Sequence, residues 1–330
     1  MVSSLYFHDG TLKQNLTDDE LRSAVRSGAG LLWVNFHKPV ADEIFKLDDV
    51  FGFHPLAIED CQHTSQYPKL DDFGTYLFIV FLAPNPEFKA GAESTNERAI
   101  DPVQEIDLFL GPNYVVTYHV APLPFMQGLV DRVKRDPKRV LGRGASFLVH
   151  DILDVAVDQF FTVVEKFQDE SEEAELQLHK TGNLELLTGI LELKRRVLSL
   201  RRQMNDHREM IQRLLRENHP AVAAKSHLYF RNILDHLNQI EDDLDVCRDT
   251  IDHAREVFLA YLDARANQIM KVLTVLFTLS LPFTVLTSWY GMNFKVLPFM
   301  DEPWGVYALS ALMFGISGGI ILWMRKNKWF

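Results

Sequence analysis

Cysteine is scarce in this sequence, and the motifs that usually mark an active site are missing. The 330 residues include only two cysteines, Cys61 and Cys247, which cannot form a disulfide framework and which fit a reducing cytoplasm. No glycine-rich phosphate loop, nucleophile elbow or paired metal-ligand motif is present. We therefore expect neither an enzyme nor a bound cofactor. The first residues have neither a basic start nor an apolar core, so we also expect no signal peptide.

Positive charge is in short supply as well. The chain has 34 Lys and Arg against 45 Asp and Glu, which gives a formal net charge of −11. This balance argues against nucleic acid as a partner, because binding to the phosphate backbone requires an excess of basic residues. The mean hydropathy of −0.06 is too low for a chain that lies in the membrane throughout. The composition predicts a large soluble part with a smaller membrane part.

Charge is absent altogether from Val272–Tyr290. This run has the length of about 20 apolar residues that a helix needs to cross a hydrocarbon core. A second apolar run, from 305 to 324, has Trp304 and Trp323 near its ends, where interfacial aromatic residues are typical. We predict two membrane spans, at 272–293 and 305–324, joined by an outer loop at 294–304. The alternative is two core helices of a soluble protein.

Basic residues flank the two spans on their outer sides. Arg265 and Lys271 precede the first span, and a basic tail, 325–330, follows the second. Because basic flanks stay on the cytoplasmic side, both termini are expected in the cytoplasm and the loop outside. The predicted location is the inner (plasma) membrane, as a multi-pass protein in contact with lipid.

The part before the spans changes character along its length. Residues 1–145 predict an α/β domain with strands near 31–36, 76–82, 105–110 and 114–120, the last two forming a hairpin, and a polar loop at 84–101. Residues 146–220 predict a helical hairpin whose acidic first arm faces an arginine-rich second arm across a break at Gly182-Asn183. Surface ion pairs explain this pattern better than a metal site.

Glycine is absent between Ala221 and Tyr290, and the only proline there is Pro282. We predict one continuous helix, with 221–271 as a cytoplasmic stalk ahead of the first span. Apolar or small residues recur every three or four positions, as in a heptad seam, and this pattern predicts helical partners. The seam residues are Phe230, Ile233, Leu237, Ile240, Leu244, Cys247, Ile251, Ala254, Phe258 and Tyr261.

Several blocks of the sequence resemble the CorA family of magnesium transporters. They are YGMNF at 290–294, NQIMKVLT at 267–274, LPFT at 281–284, KNKWF at 326–330, YFRNILDH at 229–236 and the weaker block 54–80. The resemblance covers nearly the whole chain. It implies a funnel-shaped homopentamer with an α+β cytoplasmic domain, a long helical stalk and two C-terminal transmembrane helices. It also implies transport of Mg2+, and also of Co2+ or Ni2+, through a central pore that internal Mg2+ closes.

The tripeptide Gly291-Met292-Asn293 is the candidate selectivity filter. Mg2+ holds its water shell tightly, so a selective mouth should bind the hydrated ion through its waters. A ring of neutral amide and carbonyl oxygens does this without trapping the cation. The alternative role for this tripeptide is an ordinary helix C-cap.

Helical spacing along the first span, supported by the resemblance at Asn267, Met270 and Leu273, suggests pore residues, and the acidic residues suggest a sensor for internal Mg2+. The pore-lining candidates, several of which would form an apolar constriction that closes by dewetting, are Asn267, Met270, Leu273, Phe277, Leu281 and Thr284. The alternative is ordinary helix packing. The regulatory metal candidates are Glu256, Asp71 and Asp72, in addition to Asn293 at the mouth. Asn232 departs from the family, since some members carry an aspartate there, and the acidic residues of the outer loop are shifted to Asp301 and Glu302.

Two other functions are open at this point. A ZntB-like zinc transporter would draw on histidines that suit a softer ion, but these share no tight ligand spacing: His219, His227, His236 and His253. A membrane-anchored coiled-coil scaffold would explain the seam but not the filter tripeptide.

Overall fold

The structure is a computed structural model, and it describes residues 1–63, 67–85, 103–181, 184–217, 219–293 and 302–327. Residues 86–101 of the predicted loop 84–101, the helical break at 182–183, most of the outer loop 294–304 and the last residues of the basic tail lie outside the described residues, and Pro84 ends a strand. Two compact units divide the chain, Met1–Ala254 and Arg255–Phe330. Each unit is described by itself.

A seven-stranded sheet forms the N-terminal part of the first unit. Its strand order is β2-β1-β3-β7-β6-β5-β4, and only the β3–β7 pair is parallel. The strands predicted from sequence are confirmed, and β6 and β7 form the predicted antiparallel hairpin. The strands are β1 Val2–His8, β2 Thr11–Gln14, β3 Leu31–His37, β4 Lys69–Asp72, β5 Leu77–Pro84, β6 Val103–Leu110 and β7 Tyr114–His119.

Nine α-helices accompany the sheet in the described part of the chain. Local sequence sets several of their starts: Thr17 and Glu20 form a capping box at α1, and Pro55 opens α3 with the His54 side chain accepting from the Leu56 N–H. The helices are α1 Asp18–Ser27, α2 Ala41–Asp49, α3 Pro55–Gln62, α4 Pro124–Arg135, α5 Pro137–Val140, α6 Ala145–Thr181, α7 Leu184–Arg216, α8 His227–Tyr290 and α9 Gly305–Lys326.

Strand β5 is buried along its whole length because both faces of the sheet are covered. One face packs on a core that includes Leu47 and Phe53, beside α2 and α3. On the other side, His207 of α7 reaches the sheet: its Nε2 accepts the Leu82 N–H at 3.0 Å, and its Nδ1 donates to the Gln203 carbonyl at 2.7 Å. Full burial lowers the pKa of His207 to about 3, so the ring is neutral and ties α7 to the sheet.

We expect His207→Ala to lower the thermal midpoint of the purified protein, because the buried Leu82 N–H loses its acceptor at a cost of about 1–3 kcal/mol. The wild type should also lose stability as pH falls from about 6.5, where the unfolded histidine gains a proton that the folded one refuses, by up to about 1.4 kcal/mol per pH unit. Melting curves between pH 7.5 and 5.5 measure both effects. His253→Ala, at a largely exposed histidine, is the control, and an equal pH response in the wild type and His207→Ala would contradict the assignment.

Helices α6 and α7 pack against each other as in the predicted hairpin, but within the described residues the ion pairs of α7 go mainly to α8, and this corrects the predicted matching of acid on α6 with base on α7. One ion pair joins α7 to α6, and three join it to α8. The pairs are Arg196–Glu170 (2.7 Å), Lys194–Asp252 (2.5 Å), Arg201–Asp245 (2.7 Å) and Arg208–Glu241 (3.1 Å). The reason is that α8 lies beside both α6 and α7, so the acidic residues that flank its seam reach the arginines.

The heptad seam of α8 is covered within the chain itself. Every seam residue from Phe230 to Ala254 is at most 2% exposed, and Phe258 is equally buried, whereas Tyr261 is 44% exposed. The prediction that the seam requires partners is correct, but within the first unit those partners belong to the same chain. The seam therefore gives no support to an oligomer, and any partner surface must be sought further along α8.

The second unit contains the end of α8 and all of α9. Both helices are long and apolar enough to cross a membrane, and only 6% and 11% of the residues in their most apolar 18-residue stretches are buried. Core helices of a soluble protein would be covered, so this exposure favours membrane spans. Phe283 and Phe314 make an edge-to-face contact at 5.6 Å that joins the two helices. The α/β part, the long helix and the C-terminal apolar helix agree with the predicted fold class.

Candidate pore helix, filter and metal cluster

The filter tripeptide follows directly after the last residue of α8, Tyr290. The Gly291 N–H donates to the Thr287 carbonyl at 2.9 Å, so the tripeptide continues the last helical turn. Gly291 does not have a positive φ, so a left-handed cap is not what requires glycine here. A Cβ at this position would lie only 3.0 Å from the Thr287 carbonyl oxygen. Glycine is favoured by this close approach, and Met292 and Asn293 are exposed beyond it.

The predicted pore-lining residues share one face of α8. At about 100° per residue, they fall within an arc of about 120°. All of them are exposed in the single chain, and Ser288, which is not among the predicted pore-lining residues, extends the same arc toward the predicted filter. The face consists of Asn267, Met270, Leu273, Phe277, Leu281, Thr284 and Ser288.

The hydroxyl groups of this helix already have partners in its own backbone. Thr284 Oγ1 donates to the Ser280 carbonyl at 2.9 Å, and Thr278 Oγ1 donates to the Thr274 carbonyl at 2.7 Å. The hydroxyl oxygens keep lone pairs that can accept hydrogen bonds from water. Pro282 lies inside α8 and has no N–H, so the Thr278 carbonyl loses its usual helical partner. This part of α8 thus offers hydrogen-bond acceptors without carrying charge.

The predicted sensor residues are dispersed over the two units. Glu256 lies on α8 in the second unit and is exposed. Asp71 and Asp72 lie on β4 in the first unit. Asp71 contacts the Lys69 ammonium at 3.2 Å, and Asp72 accepts the Gly74 N–H at 2.6 Å. No described contact brings these three carboxylates together, so their role as regulatory ligands stays a prediction.

A different cluster, missed by sequence reasoning, has the geometry of a metal site. One ligand atom each from Asp154, Asp158 and His236 lies within 4.8 Å of the others. His236 Nδ1 is 3.5 Å from an Asp158 oxygen. The neighbouring His150, whose side chain is 8% exposed, places its Nε2 4.0 Å from Asp154, and this nitrogen has no hydrogen-bond partner. We call these four residues the α6–α8 cluster.

The charges and the burial of the α6–α8 cluster favour binding of a cation. Burial raises the pKa of Asp154, and the nearby Asp158 raises it further, although the two histidines act in the opposite direction. Such mutual repulsion would be relieved by a bound divalent ion. Asn232 donates from Nδ2 to His236 Nε2 at 3.3 Å, so the position that departs from the family pattern touches this cluster.

The sequence did contain a signal for this cluster. His150, Asp154 and Asp158 follow one another at intervals of four residues, and so do Asn232 and His236. Each interval places side chains on one helix face. What the sequence could not supply was the juxtaposition of the two faces, which depends on how α6 packs against α8.

A large α/β unit followed by two uncovered apolar helices is the arrangement of a membrane protein with a large domain outside the bilayer. Residues 28–326 match the family model of the CorA-like Mg2+ transporter proteins, and the chain belongs to this family. It is 33% identical to YfjQ of Bacillus subtilis over 299 residues, which covers 90% of this chain and 89% of that protein. It is 28% identical to the cobalt/magnesium transport protein CorA of Thermotoga maritima, covering 95% and 87% of the two chains.

A solved structure has the same fold. The complete CorA magnesium transporter of Methanocaldococcus jannaschii superposes with a TM-score of 0.81 at 21% identity, covering 100% of this chain and 99% of that one. Similarity to the zinc transport protein ZntB of Pectobacterium atrosepticum is limited to 130 residues, 39% of each chain. The family model and the relative from Bacillus subtilis establish the family, and the solved structure establishes the fold.

Proposed function

We propose that this chain transports hydrated Mg2+, and with it Co2+ or Ni2+, across the cell inner membrane through a pore formed by several copies of α8. The copies form a homopentamer, both termini lie in the cytoplasm, and the outer loop faces the opposite side. Mg2+ is the substrate and also a regulatory ligand. No cofactor and no catalytic step are involved. Family membership and the names of the relatives support the ion class.

The observation that carries this proposal is the exposed face of α8 that ends at the filter tripeptide. A helix that contacts only lipid gains nothing from amide and hydroxyl groups on one face, whereas a pore wall needs acceptors for the waters of its ion. Asn267 and Thr284 supply such groups, with Met270, Leu273 and Phe277 between them. Around a symmetry axis these apolar side chains would form a constriction that excludes water when the helices approach.

The mouth of the pore is suited to a hydrated ion. Mg2+ strongly resists dehydration, so a neutral site that hydrogen-bonds to its water shell selects it without holding it. Asn293 supplies the side-chain amide, and Gly291 lets the backbone follow the last turn of α8. The absence of a carboxylate in the tripeptide keeps the site weak enough for release.

Regulation by internal divalent ions has two candidate sites in this proposal. One is Glu256 together with Asp71 and Asp72, contributed by different copies. The other is the α6–α8 cluster within one copy, which the unpartnered His150 nitrogen favours. Its imidazole ligands suit Co2+ better than Mg2+, whereas carboxylate oxygens suit both ions.

A ZntB-like zinc transporter is the second candidate function, and the histidines of the α6–α8 cluster are the observation in its favour. His219 does not support it, since this ring is buried beside Asp72 (3.5 Å) and the Gly74 carbonyl (3.2 Å) as part of the fold. The intact filter tripeptide favours Mg2+. The scaffold alternative loses its main argument, because the seam is covered within the chain.

A flux measurement with the purified protein in liposomes tests the proposal. We expect saturable Mg2+ entry, reported by a trapped magnesium dye, without any requirement for a pH gradient. Zn2+ entry that depends on a pH gradient, with no Mg2+ entry, would establish the zinc alternative. Protein that is inserted correctly but passes neither ion would contradict transport altogether. Empty liposomes and liposomes with heat-denatured protein are the controls.

A further inference from the structure

A cavity of about 510 Å3 lies beside the segment that joins α4 to α6, and four arginines line it. α4 ends at Arg135, Asp136 caps the short helix α5 by accepting the Arg139 N–H at 3.1 Å, and a single 3-10 turn ends at Arg143. Gly144, with φ +104°, directly precedes α6. Arginines from α4, from α5 and from the 3-10 turn therefore line one cavity.

Four guanidinium groups against two carboxylates give this cavity a local excess of positive charge. The lining arginines are Arg132, Arg135, Arg139 and Arg143. Both lining carboxylates have contacts of their own. Asp136 caps α5, and Asp151 accepts from His150 Nδ1 at 3.1 Å and lies 3.6 Å from Arg143. In a chain with a net charge of −11, such an excess in one concave place is unusual.

Most of these guanidinium groups are available to a ligand. Among the residues that the structure describes, no carboxylate lies within ion-pair distance of Arg132, Arg135 or Arg139. Arg135 Nε donates to the Asp131 carbonyl at 3.3 Å. The buried side chains of Val133 and Val140 fix the backbone that carries them. The arginine side chains are thus exposed, while buried neighbouring residues hold the backbone that carries them.

Arg143 is held more firmly than the others. Its guanidinium lies over the ring of Phe147 at 4.4 Å and over that of Tyr229 at 5.0 Å, and these two rings contact each other edge-to-face at 5.3 Å. Cation–π contacts of this kind orient the planar group and reduce the entropy lost when a ligand binds. The aromatic faces are occupied by Arg143, so they are not free to stack on a base.

We propose that this cavity binds a small phosphate-bearing anion with several negative charges, such as a polyphosphate chain. Arginine forks match phosphate oxygens in a bidentate manner, and several of them converging favour a dense, multiply charged anion over a single carboxylate. The volume lies within the range of small-molecule sites and exceeds what one phosphate needs. The anion could come from a free nucleotide or from a phosphorylated lipid headgroup, which share this chemistry. The inference does not depend on ion transport.

Calorimetric titration of the detergent-purified full-length protein with inorganic tripolyphosphate tests the site. We expect saturable binding to wild type and a loss of affinity of about tenfold or more in Arg132→Ala/Arg139→Ala, because each charged hydrogen bond contributes about 1.5–3 kcal/mol. Arg195→Ala/Arg216→Ala, which removes two exposed arginines from α7, should bind like wild type. Absence of saturable binding, or an equal loss in both double variants, would overturn the proposal.

Two further arms complete the test. Arg132→Lys/Arg139→Lys keeps the charge and lacks the guanidinium fork, so it should lose affinity even if the alanine variant fails to fold; unchanged affinity would overturn the bidentate site. Repeating the titration in nanodiscs separates the two sources of the anion. Weaker tripolyphosphate binding with phosphoinositide present than with phosphatidylcholine alone indicates a lipid headgroup, and equal binding indicates a free anion.

Discussion

Asn293→Ala is expected to abolish Mg2+ uptake while leaving the protein inserted and assembled. The substitution removes the side-chain amide from each copy at the mouth, and with it the hydrogen bonds to the water shell of an ion that does not release its waters readily. Asn293 is exposed after the last turn of α8, so no packing is lost. Uptake into proteoliposomes, normalised to the amount of inserted protein, measures the effect. Near-normal uptake by correctly inserted Asn293→Ala would refute the filter assignment.

Two companion variants separate chemistry from shape at the filter. Gly291→Ala keeps every polar group but places a Cβ about 3.0 Å from the Thr287 carbonyl oxygen, so the tripeptide must shift and uptake should fall as well. Gln268→Ala removes an amide from the opposite side of α8, about 160° from the centre of the pore arc, and should leave uptake unchanged. A loss in Gln268→Ala equal to that in Asn293→Ala would show a general effect of amide removal.

The sequence was most informative where one local pattern determines the structure. The glycine-free segment before Tyr290 gives one helix of 64 residues, because nothing in it except Pro282 interrupts helical hydrogen bonding. Strand β5 follows from an uninterrupted β-branched and aromatic run, which only a sheet covered on both faces accommodates. Helical spacing alone places the predicted pore-lining residues on one face of α8, whereas their role in a pore rests on the family resemblance and stays a prediction. These features require no knowledge of distant contacts.

Features that depend on distant contacts could not be predicted in this way. Strand β3 pairs in parallel with β7, which brings Leu32 opposite Tyr114. His207 provides a hydrogen bond to Leu82, 125 residues away. Both contacts join segments whose own sequences show no preference for each other. The helical seam was recognised, but its partner was not, because a heptad pattern is the same whether the partner helix belongs to the same chain or to another.

Metal control illustrates the same limit at a functional site. Glu256 was selected through its match to a family position, and Asp71 and Asp72 through their place beside a strand. The α6–α8 cluster instead depends on two helix faces that meet only in the folded chain. In the proposed pentamer, a charge of −11 per chain would give 5 × −11 = −55, so self-repulsion would provide a general reason for divalent ions to stabilise a closed assembly. It does not decide between the two sites.

Asp154→Asn/Asp158→Asn is expected to raise the internal Mg2+ concentration that half-closes the pore by about tenfold or more, since two charged ligands worth about 1.5–3 kcal/mol each are lost. Flux at very low Mg2+ should stay at the wild-type level, because the site acts only when occupied. Closure is a population shift, so the ion must bind the closed state more tightly than the open one. Liposome flux and limited proteolysis across a Mg2+ series measure the two consequences.

His236→Ala and Glu256→Lys distinguish the two candidate sites. Imidazole favours Co2+ over Mg2+, so His236→Ala should weaken closure by Co2+ more than closure by Mg2+ if the α6–α8 cluster is the sensor. Glu256→Lys would place a fixed cation at the other site, and flux and proteolysis should then both lose most of their Mg2+ dependence.

Asp235→Asn/Asp242→Asn, which removes two exposed carboxylates from α8 outside the cluster, is the matched control for charge. If the Asp154→Asn/Asp158→Asn variant responds to Mg2+ like this control while Glu256→Lys does not respond, the cluster is not the sensor. A wild-type response in Glu256→Lys would exclude Glu256 instead.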